Sequence, residues 1–464
     1  MIIKATTQDA RKLMLEGSKT LSRIEANGIC IDTRYLEDAI DSTELKMQKL
    51  TTKMKKLEVY HKLEKYYGRR LKLGSRPQLA HILFDIMGYE AKELTKTDRV
   101  KTDEHALMQI REPYVKMFLK LEKLKKACNT YLKGIRREVT NGFIHPFFNL
   151  HLVITHRSSS DHPNFQNMPI RIPMMNELIR QCFVPRSSKR QIVELDYGGI
   201  EVNGATWYHK DPVMIDYLYD KRKDLHRDMA QQCFKLPKEE LIPIENDKDD
   251  KKRAGIIRYC GKNNFVFPQF YGDYFGNCAS ALWENITKLK LHTRNGKSLR
   301  KHLKKKGIDS YEDFEHHIEK VEDHFWNKKF KVYNQWKDSH YERYLKTCAI
   351  DILSGFTVHG YFDRNQVINT PVQSVCFHCL LWSLIRLEKM MRKYKMKSLL
   401  IGQIHDSIVG DILKKELKDF LELAYQIMVV DLQKHWGFII TPLEIEAEAS
   451  PPGMSWYHKK EIKI

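Results

Sequence analysis

The chain has 464 residues, enough for a multi-lobed catalytic unit with a large buried core. Lys and Arg number 79 against 59 Asp and Glu, and a formal charge of +20 suits a polyanionic partner, either nucleic acid or an anionic membrane surface. No run of about eighteen apolar residues occurs, and the start, MIIKATTQDARK, lacks the apolar core of a secretory signal. A membrane-spanning or secreted chain is therefore not expected, and the nine scattered cysteines suit a reducing compartment.

Residues 1–40 hold a helical pattern that ends at Asn27-Gly28, then a short apolar strand and Asp32-Thr33. From 36 to 67 Leu and Met recur at three- and four-residue spacing with Lys between them, which predicts a helix. In LGSRPQLAHILFDIMGY, 73–89, Ser75 is an N-cap and Pro77 lies in the first turn. A third helix is predicted from about 103 through 131, ending in KLEKLKKACNTYL. By pattern alone these are a helical bundle with solvated Lys faces.

Residues 144–169, IHPFFNLHLVITHRSSSDHPNFQNMP, read as a polar loop suited to phosphate. In QIVELDYGGIEVNGA, 191–205, Ile192 to Leu195 form a strand that ends at Asp196, and Gly198-Gly199 turn the chain before Ile200-Glu201-Val202. KDLHRDMA, 223–230, starts a helix. The charged stretch 236–252 reads as a surface excursion. In RYCGKNNFVFPQFYG, 258–272, Arg258 and Lys262 stand four apart, as do Phe267 and Tyr271, so cations and aromatics line one helix face. Pro268 cannot donate a backbone hydrogen bond, and a bulge or kink is expected there.

Residues 280–350 are helical and basic, densest in KSLRKHLKKKG, 297–307. Asn369-Thr370-Pro371-Val372-Gln373 opens a long helix. Cys376 and Cys379 form a lone CxxC with no second pair at zinc-site spacing and read as core thiols. LIGQIHDSIVGD, 400–411, extends an apolar strand, turns at His405-Asp406-Ser407 and continues as another strand. The tail, PLEIEAEASPPGMSW, ends with a strand and Trp456. Two strands that each present an Asp could hold two divalent cations on the order of 4 Å apart, the arrangement that serves phosphoryl displacement.

DYGGIE, 196–201, resembles motif A of the family A DNA polymerases, IHDS, 404–407, their motif C, and RYCGKNNFVFPQFYG their motif B. The likeness runs from about residue 20 to the end, with SRPQLAHILFD, TKTDRVKTDEHAL and KACNTYL in the order of the family's thumb. It implies an α+β right-hand polymerase fold, with an antiparallel palm sheet and helical thumb and fingers. The expected division is a lead-in at 1–35, thumb at 36–142, palm at 143–222, fingers at 223–355 and a second palm part at 356–464. Fewer than forty residues precede the thumb, too few for the 3′–5′ exonuclease domain that members often carry. The exonuclease is then absent, a separate chain, or trimmed from the sequence.

The resemblance also implies roles. Asp196 and Asp406 would hold two Mg2+ ions with the backbone carbonyl of Tyr197, and Arg258, Lys262 and His226 would neutralise a triphosphate. Phe267 or Tyr271 would stack on the nascent pair; a competing alignment gives that place to Phe265, because the gap between the two motif B pairs is one residue longer than usual. Glu201, five residues beyond Asp196, would exclude a ribose 2′-hydroxyl. Arg157, Gln166, Asn167, Asn369, Gln373 and His405 would contact primer–template DNA. The chain departs from the family at several positions: His156 replaces a glycine, Cys348 and Phe356 replace a common glycine and arginine, Asn203 stands where Arg is frequent, and Ser407 where a second acid is usual.

The implied function is template-directed addition of deoxynucleotides to a primer 3′-hydroxyl with release of pyrophosphate. Primer–template DNA and dNTPs are its partners, with a separate exonuclease chain or a processivity factor as further candidates and no membrane. Two rivals stand beside it. A single-subunit phage-type RNA polymerase shares the His-Asp-Ser of motif C but lacks a gate glutamate, and an accessory duplex-binding factor would have little reason to keep both carboxylates beside two cations. The wording KNNFVFPQFYGD is reminiscent of bacteriophage members, which suggests action in a bacterial cytoplasm.

Overall fold

A computed structural model describes residues 5–91 and 100–464. At its centre five strands form an antiparallel sheet in the order Lys460–Ile462, Ile445–Ala449, Arg190–Tyr197, Ser407–Leu413, Leu399–Ile404. The middle strand shows why: Val193, Leu195 and Tyr197 are buried on one side while Glu194 and Asp196 alternate with them toward the other. Register then fixes the neighbours, because Asp196 pairs with Ser407 on one side and with Glu446 on the other. The turn of the 399–413 hairpin is made by His405, in the left-handed region at φ 49°, and Asp406.

The apolar face of the sheet is covered by the helix Arg364–Lys393, which also packs against the N-terminal helix Thr7–Asn27 and the helix Ile200–His209. Tyr197 carries this contact into polar detail: its hydroxyl meets Ser383 Oγ at 2.8 Å and donates to the Met428 carbonyl at 3.0 Å. The long helix starts five residues before the expected Asn369, at a capping box in which Asp363 and Gln366 each satisfy the other's backbone N–H. Pro371 lies inside the helix rather than in its first turn. By length and composition this helix is apolar enough to cross a membrane, although no unbroken apolar run marks it in the sequence. Yet 83% of its most apolar stretch is buried inside the protein, as befits a core helix. Cys376 and Cys379 are buried within it as free thiols.

Two helical regions flank the sheet. One has a core of its own, built from Met54, Leu63, Leu83, Leu107, Tyr114, Phe118 and their neighbours. Its predicted helix over 36–67 is two helices, Thr33–Met54 and Glu58–Tyr67, and Ser75 caps Arg76–Ala80 as expected. The helix expected over 103–131 is broken: Glu104–Met108 stops, and Pro113, which has no N–H to give, begins the next at Pro113–Lys125. Most of TKTDRV lies outside the described residues. The other region comprises helices from Leu225–Phe234 to Lys331–Thr347. In it the charged stretch 236–252 is less superficial than its composition suggests. Asp250 is buried, accepts from Arg253 at 2.9 Å and from Arg294, and so ties this stretch to the helical body.

Helices Ile200–His209 and Arg364–Lys393 approach so closely at Gly204 that a Cβ there would lie 2.5 Å from Cys376 Sγ. Gly204→Ala is therefore expected to lower the thermal midpoint. Overpacking costs about 1–3 kcal/mol, more than the roughly 1 kcal/mol gained from helix propensity. Adding Cys376→Ala should recover most of the loss, and a single variant as stable as the parent would contradict the close approach.

Candidate active site

Asp196 ends the middle strand and Asp406 sits in the adjoining hairpin turn, one residue from Asp196's cross-strand partner. Burial, then Asp406, then Glu194 push the Asp196 carboxyl up to about 7. Burial also raises Asp406, although Arg157 opposes it. The two strands have brought like charges together in a half-enclosed place, which is unfavourable unless a cation is shared. Arg157 is one such cation. Its guanidinium reaches Asp406 Oδ1 at 3.3 Å and Glu201 Oε1 at 3.6 Å, so it links both acidic elements. Glu201 lies in the first turn of Ile200–His209, where Gly199 at φ 61° has turned the chain, and its other oxygen accepts from the Tyr271 hydroxyl.

The loop that carries Arg157 is held from behind. His156, at φ 52°, packs against Phe356 with tilted rings whose centroids are 4.8 Å apart, and Phe356 packs on the buried His378 at 4.5 Å. Two departures from the family pattern thus touch each other. Gln166 differs from its expected place against DNA: it is buried, and its amide donates to Ser158 Oγ at 2.8 Å and Gln403 Oε1 at 2.7 Å. Gln403 in turn donates to the His405 carbonyl, so Gln166 braces the hairpin turn. Asn167 and His405 are exposed, and desolvation by the surrounding protein, with Arg157 nearby, holds His405 below the usual histidine range.

The cations and aromatics of 258–272 come next to this cluster by a local irregularity. Helix Lys248–Gly261 crosses Leu225–Phe234 at Gly261, where a Cβ would meet the His226 carbonyl and Ala230 Cβ at 2.7 Å. The helix then widens to π hydrogen bonding over Lys262–Val266, with the Phe267 N–H donating to the Lys262 carbonyl. One extra residue is absorbed there, immediately before Pro268. In consequence Lys262 Nζ stands 5.0 Å from the Phe267 ring, and His226 meets the same ring edge-on at 5.6 Å. Phe265 points the other way, fully buried against Phe325, which removes it as a base-stacking candidate. Arg258 is oriented by Asp224, whose Oδ2 accepts its Nε–H at 2.5 Å.

His226 departs from its expected part as a third cation. Burial first, then Arg258 and Lys262, depress its imidazole to about 4, so at neutral pH it offers a hydrogen bond rather than a charge. Between the two groups lies a small cavity of about 30 Å3 lined by Glu201, Phe267, Tyr271, Asn369 and Gln373, among others. Five residues from three separate motifs therefore share one wall.

Sequence reading passed over the acids beside Asp196. Ser407, at the position of the usual second acid, donates to Glu194 Oε1 at 3.2 Å. Glu194 also accepts from Trp456 Nε1 at 3.0 Å and Lys459 Nζ at 2.5 Å. Burial raises this carboxyl, but Lys459 and Trp456 outweigh it and hold it below the usual range. Period-two spacing in VELDY and in EIEAEA was the available signal, since it places Glu194, Asp196, Glu446 and Glu448 on one face. Asn203, in place of the frequent Arg, is a buried acceptor for the Thr441 hydroxyl at 2.6 Å.

Known proteins share this arrangement of chain. The sequence model of DNA polymerase family A matches residues 41–257. The DNA polymerase of Bacillus phage SP01 is 24% identical over 474 residues, covering 90% of this chain and 47% of that protein. DNA polymerase I of Lactococcus lactis subsp. cremoris (strain MG1363) is 25% identical over 448 residues, covering 96% of this chain and 45% of its own. The fold is that of the POL domain of Pol1 from M. smegmatis, solved in complex with DNA primer-template and dNTP. The TM-score is 0.69 at 20% identity, over 96% of this chain and 70% of that one. The chain is thus similar to DNA polymerase family A over residues 41–257, and to phage and bacterial DNA polymerases over most of its length. It spans about half the length of the curated relatives it matches. The fold is the α+β right-hand architecture expected from the motifs, with the antiparallel sheet as the palm.

His226 gives this site a testable pH signature. Its native pKa of about 4 lies below the ordinary value of 6.5. The unfolded chain therefore gains a proton as pH falls below about 6.5 while the native chain does not, and stability is lost in that window. Asp196, raised to about 7, acts in the opposite sense, so the difference between variants is the informative quantity. Between pH 7 and 5, His226→Gln is expected to lose less unfolding free energy than the parent. Parallel curves would show that His226 is not held neutral.

Proposed function

We propose that this chain is a template-directed DNA polymerase that extends a primer 3′-hydroxyl with deoxynucleotides and releases pyrophosphate. The observation that carries the reading is the meeting of Asp196 and Asp406, on adjacent strands, with Arg157, Glu201 and Tyr271 in one network. In this reading residues 36–142 are the thumb, 223–355 the fingers, and 143–222 with 356–464 the palm. The phage and bacterial relatives support action in a bacterial cytoplasm.

Among the described residues no group of three or more His, Cys, Asp or Glu side chains forms a closed metal site. Two carboxylates fit an open one, because magnesium keeps several waters and takes further ligands from substrate phosphates. Asp196, Asp406 and the Tyr197 carbonyl would hold it. When bound, a metal pair makes the 3′-hydroxyl a better nucleophile and stabilises the leaving oxygen. The side chains do the rest. Arg258, oriented by Asp224, and Lys262 place positive charge where a triphosphate would lie, and neutral His226 adds a hydrogen bond. Phe267 and Tyr271 offer stacking surfaces that are indifferent to base identity. Glu201, fixed by Tyr271 and Arg157, narrows the space beside the sugar. Arg157 and the exposed Asn167 and His405 face the primer–template, with Asn369 and Gln373 at its edge.

Extension of a labelled primer with Mg2+ tests the reading. Asp196→Ala or Asp406→Ala should reduce synthesis by about a hundred- to a thousandfold, since removing an electrostatic group at the reacting atoms costs that order, while duplex binding persists. Near-parental synthesis by either variant would overturn the assignment. Glu201→Ala should raise ribonucleotide insertion relative to deoxynucleotide insertion; unchanged selectivity would remove Glu201 as the gate.

A further inference from the structure

Helix Leu225–Phe234 presents different residues on its two sides. His226 faces Phe267, while Arg227, Asp228, Gln231 and Gln232 face away from it. On that reverse side lies a cavity of about 680 Å3, bounded by the helix Pro212–Tyr219, the 222–228 turn and the segment His324–Lys329. A second depression of about 530 Å3 adjoins it at His324 and runs along Lys235 and Lys320. Together they form one groove across the outer surface of the fingers.

Its charge is strongly one-sided. Arg222, Lys223, Arg227, Lys235, Lys238, Lys320, Lys328 and Lys329 line it, against Asp216, Asp220 and Asp228. Those three carboxylates are already engaged, with Lys223, Arg222 and Arg227 respectively. Lys235, Lys238, Lys320 and Lys328 are exposed, and none makes an ion pair among the described residues. The floor is aromatic. Tyr217 is half-buried, and its hydroxyl donates to Asp228 Oδ2 at 2.6 Å and accepts from Lys329 Nζ at 2.6 Å, which anchors the ring by its polar end. Burial lowers the pKa of that lysine, and the nearby Asp228 offsets this only in part.

A row of free cations beside an aromatic floor is the combination that suits a single-stranded polynucleotide: the cations track phosphates, and the ring accepts any base. A protein partner would find few apolar anchors here, and a free phosphate would need neither the length nor the ring. We infer that this groove binds single-stranded DNA. Resting on the polymerase reading above, the strand is unpaired template ahead of the primer end.

Binding of a fluorescent twenty-residue oligothymidylate, measured without metal or nucleotide, tests the groove independently of synthesis. Lys238→Glu/Lys320→Glu/Lys328→Glu alters only exposed side chains. It should weaken oligothymidylate binding by about tenfold or more and flatten the log–log salt dependence by about 2, the loss of three single-strand phosphate contacts. Affinity for a blunt duplex should not change. Unchanged oligothymidylate affinity and salt slope would overturn the inference. So would an equal loss for blunt duplex, which marks a general charge effect, or equal competition by inorganic tripolyphosphate, which marks a simple anion site. With primer–templates, the variant should lose affinity for a long 5′ overhang and keep it for a one-nucleotide overhang. If the parent binds oligothymidylate at the groove but extends no primer, the polymerase reading fails and the groove stands.

Discussion

Four carboxylates crowd one edge of a buried sheet, and much of the structure is arranged around that electrostatic problem. Asp196 and Asp406 are forced together by strand register, Glu194 lies two residues away on the same face, and Glu201 begins the next helix. Like charges in a half-buried place raise one another's pKa unless cations are supplied. The protein supplies two of its own in fixed positions. Arg157 spans Asp406 and Glu201, while Lys459 is spent on Glu194 and Glu448. Glu194 is thereby neutralised as a structural anchor, and Asp196 is left with its charge unbalanced. In the proposed function this uncompensated acid, next to a compensated one, is the group that would take a divalent cation.

Positioning of Arg157 comes from the same need. The arginine can bridge two acids only if its loop is rigid, and the loop is backed by the His156–Phe356–His378 ring cluster and by Ser374, which donates to the Thr155 carbonyl at 2.7 Å. Gln166 and Gln403 hold the facing hairpin turn through buried hydrogen bonds. Substitution of His for the family's glycine at 156 and of Phe for arginine at 356 makes sense as a pair, since each ring covers the other. The long helix Arg364–Lys393 is the wall against which loop, sheet and the helix Ile200–His209 all pack.

In the fingers the corresponding constraint is steric. Gly261 lets two helices touch, and the π turn after it rotates the next helical turn, so that Lys262, Phe267 and His226 converge and Phe265 is withdrawn into the core. Neutral His226 is a result of that crowding: two neighbouring cations and burial leave no room for a third charge.

The sequence alone determined the strand ending at Asp196, the Asp406 hairpin, the paired spacing of Arg258 with Lys262 and the likeness to DNA polymerase family A. These rest on local rules: period two in strands, period 3.6 in helices, and turn chemistry at Gly199. Only the tertiary structure decided which aromatic of motif B faces the site, that Gln166 is a brace, that the 103–131 helix is broken, and that Glu194 offsets Lys459 beside Ser407. Each of those depends on the groups that lie across the fold from the residue, on another strand or helix far away in sequence. Spacing along the chain places a side chain on a face. Its charge state and partners are set by the groups that the folded chain brings to that face.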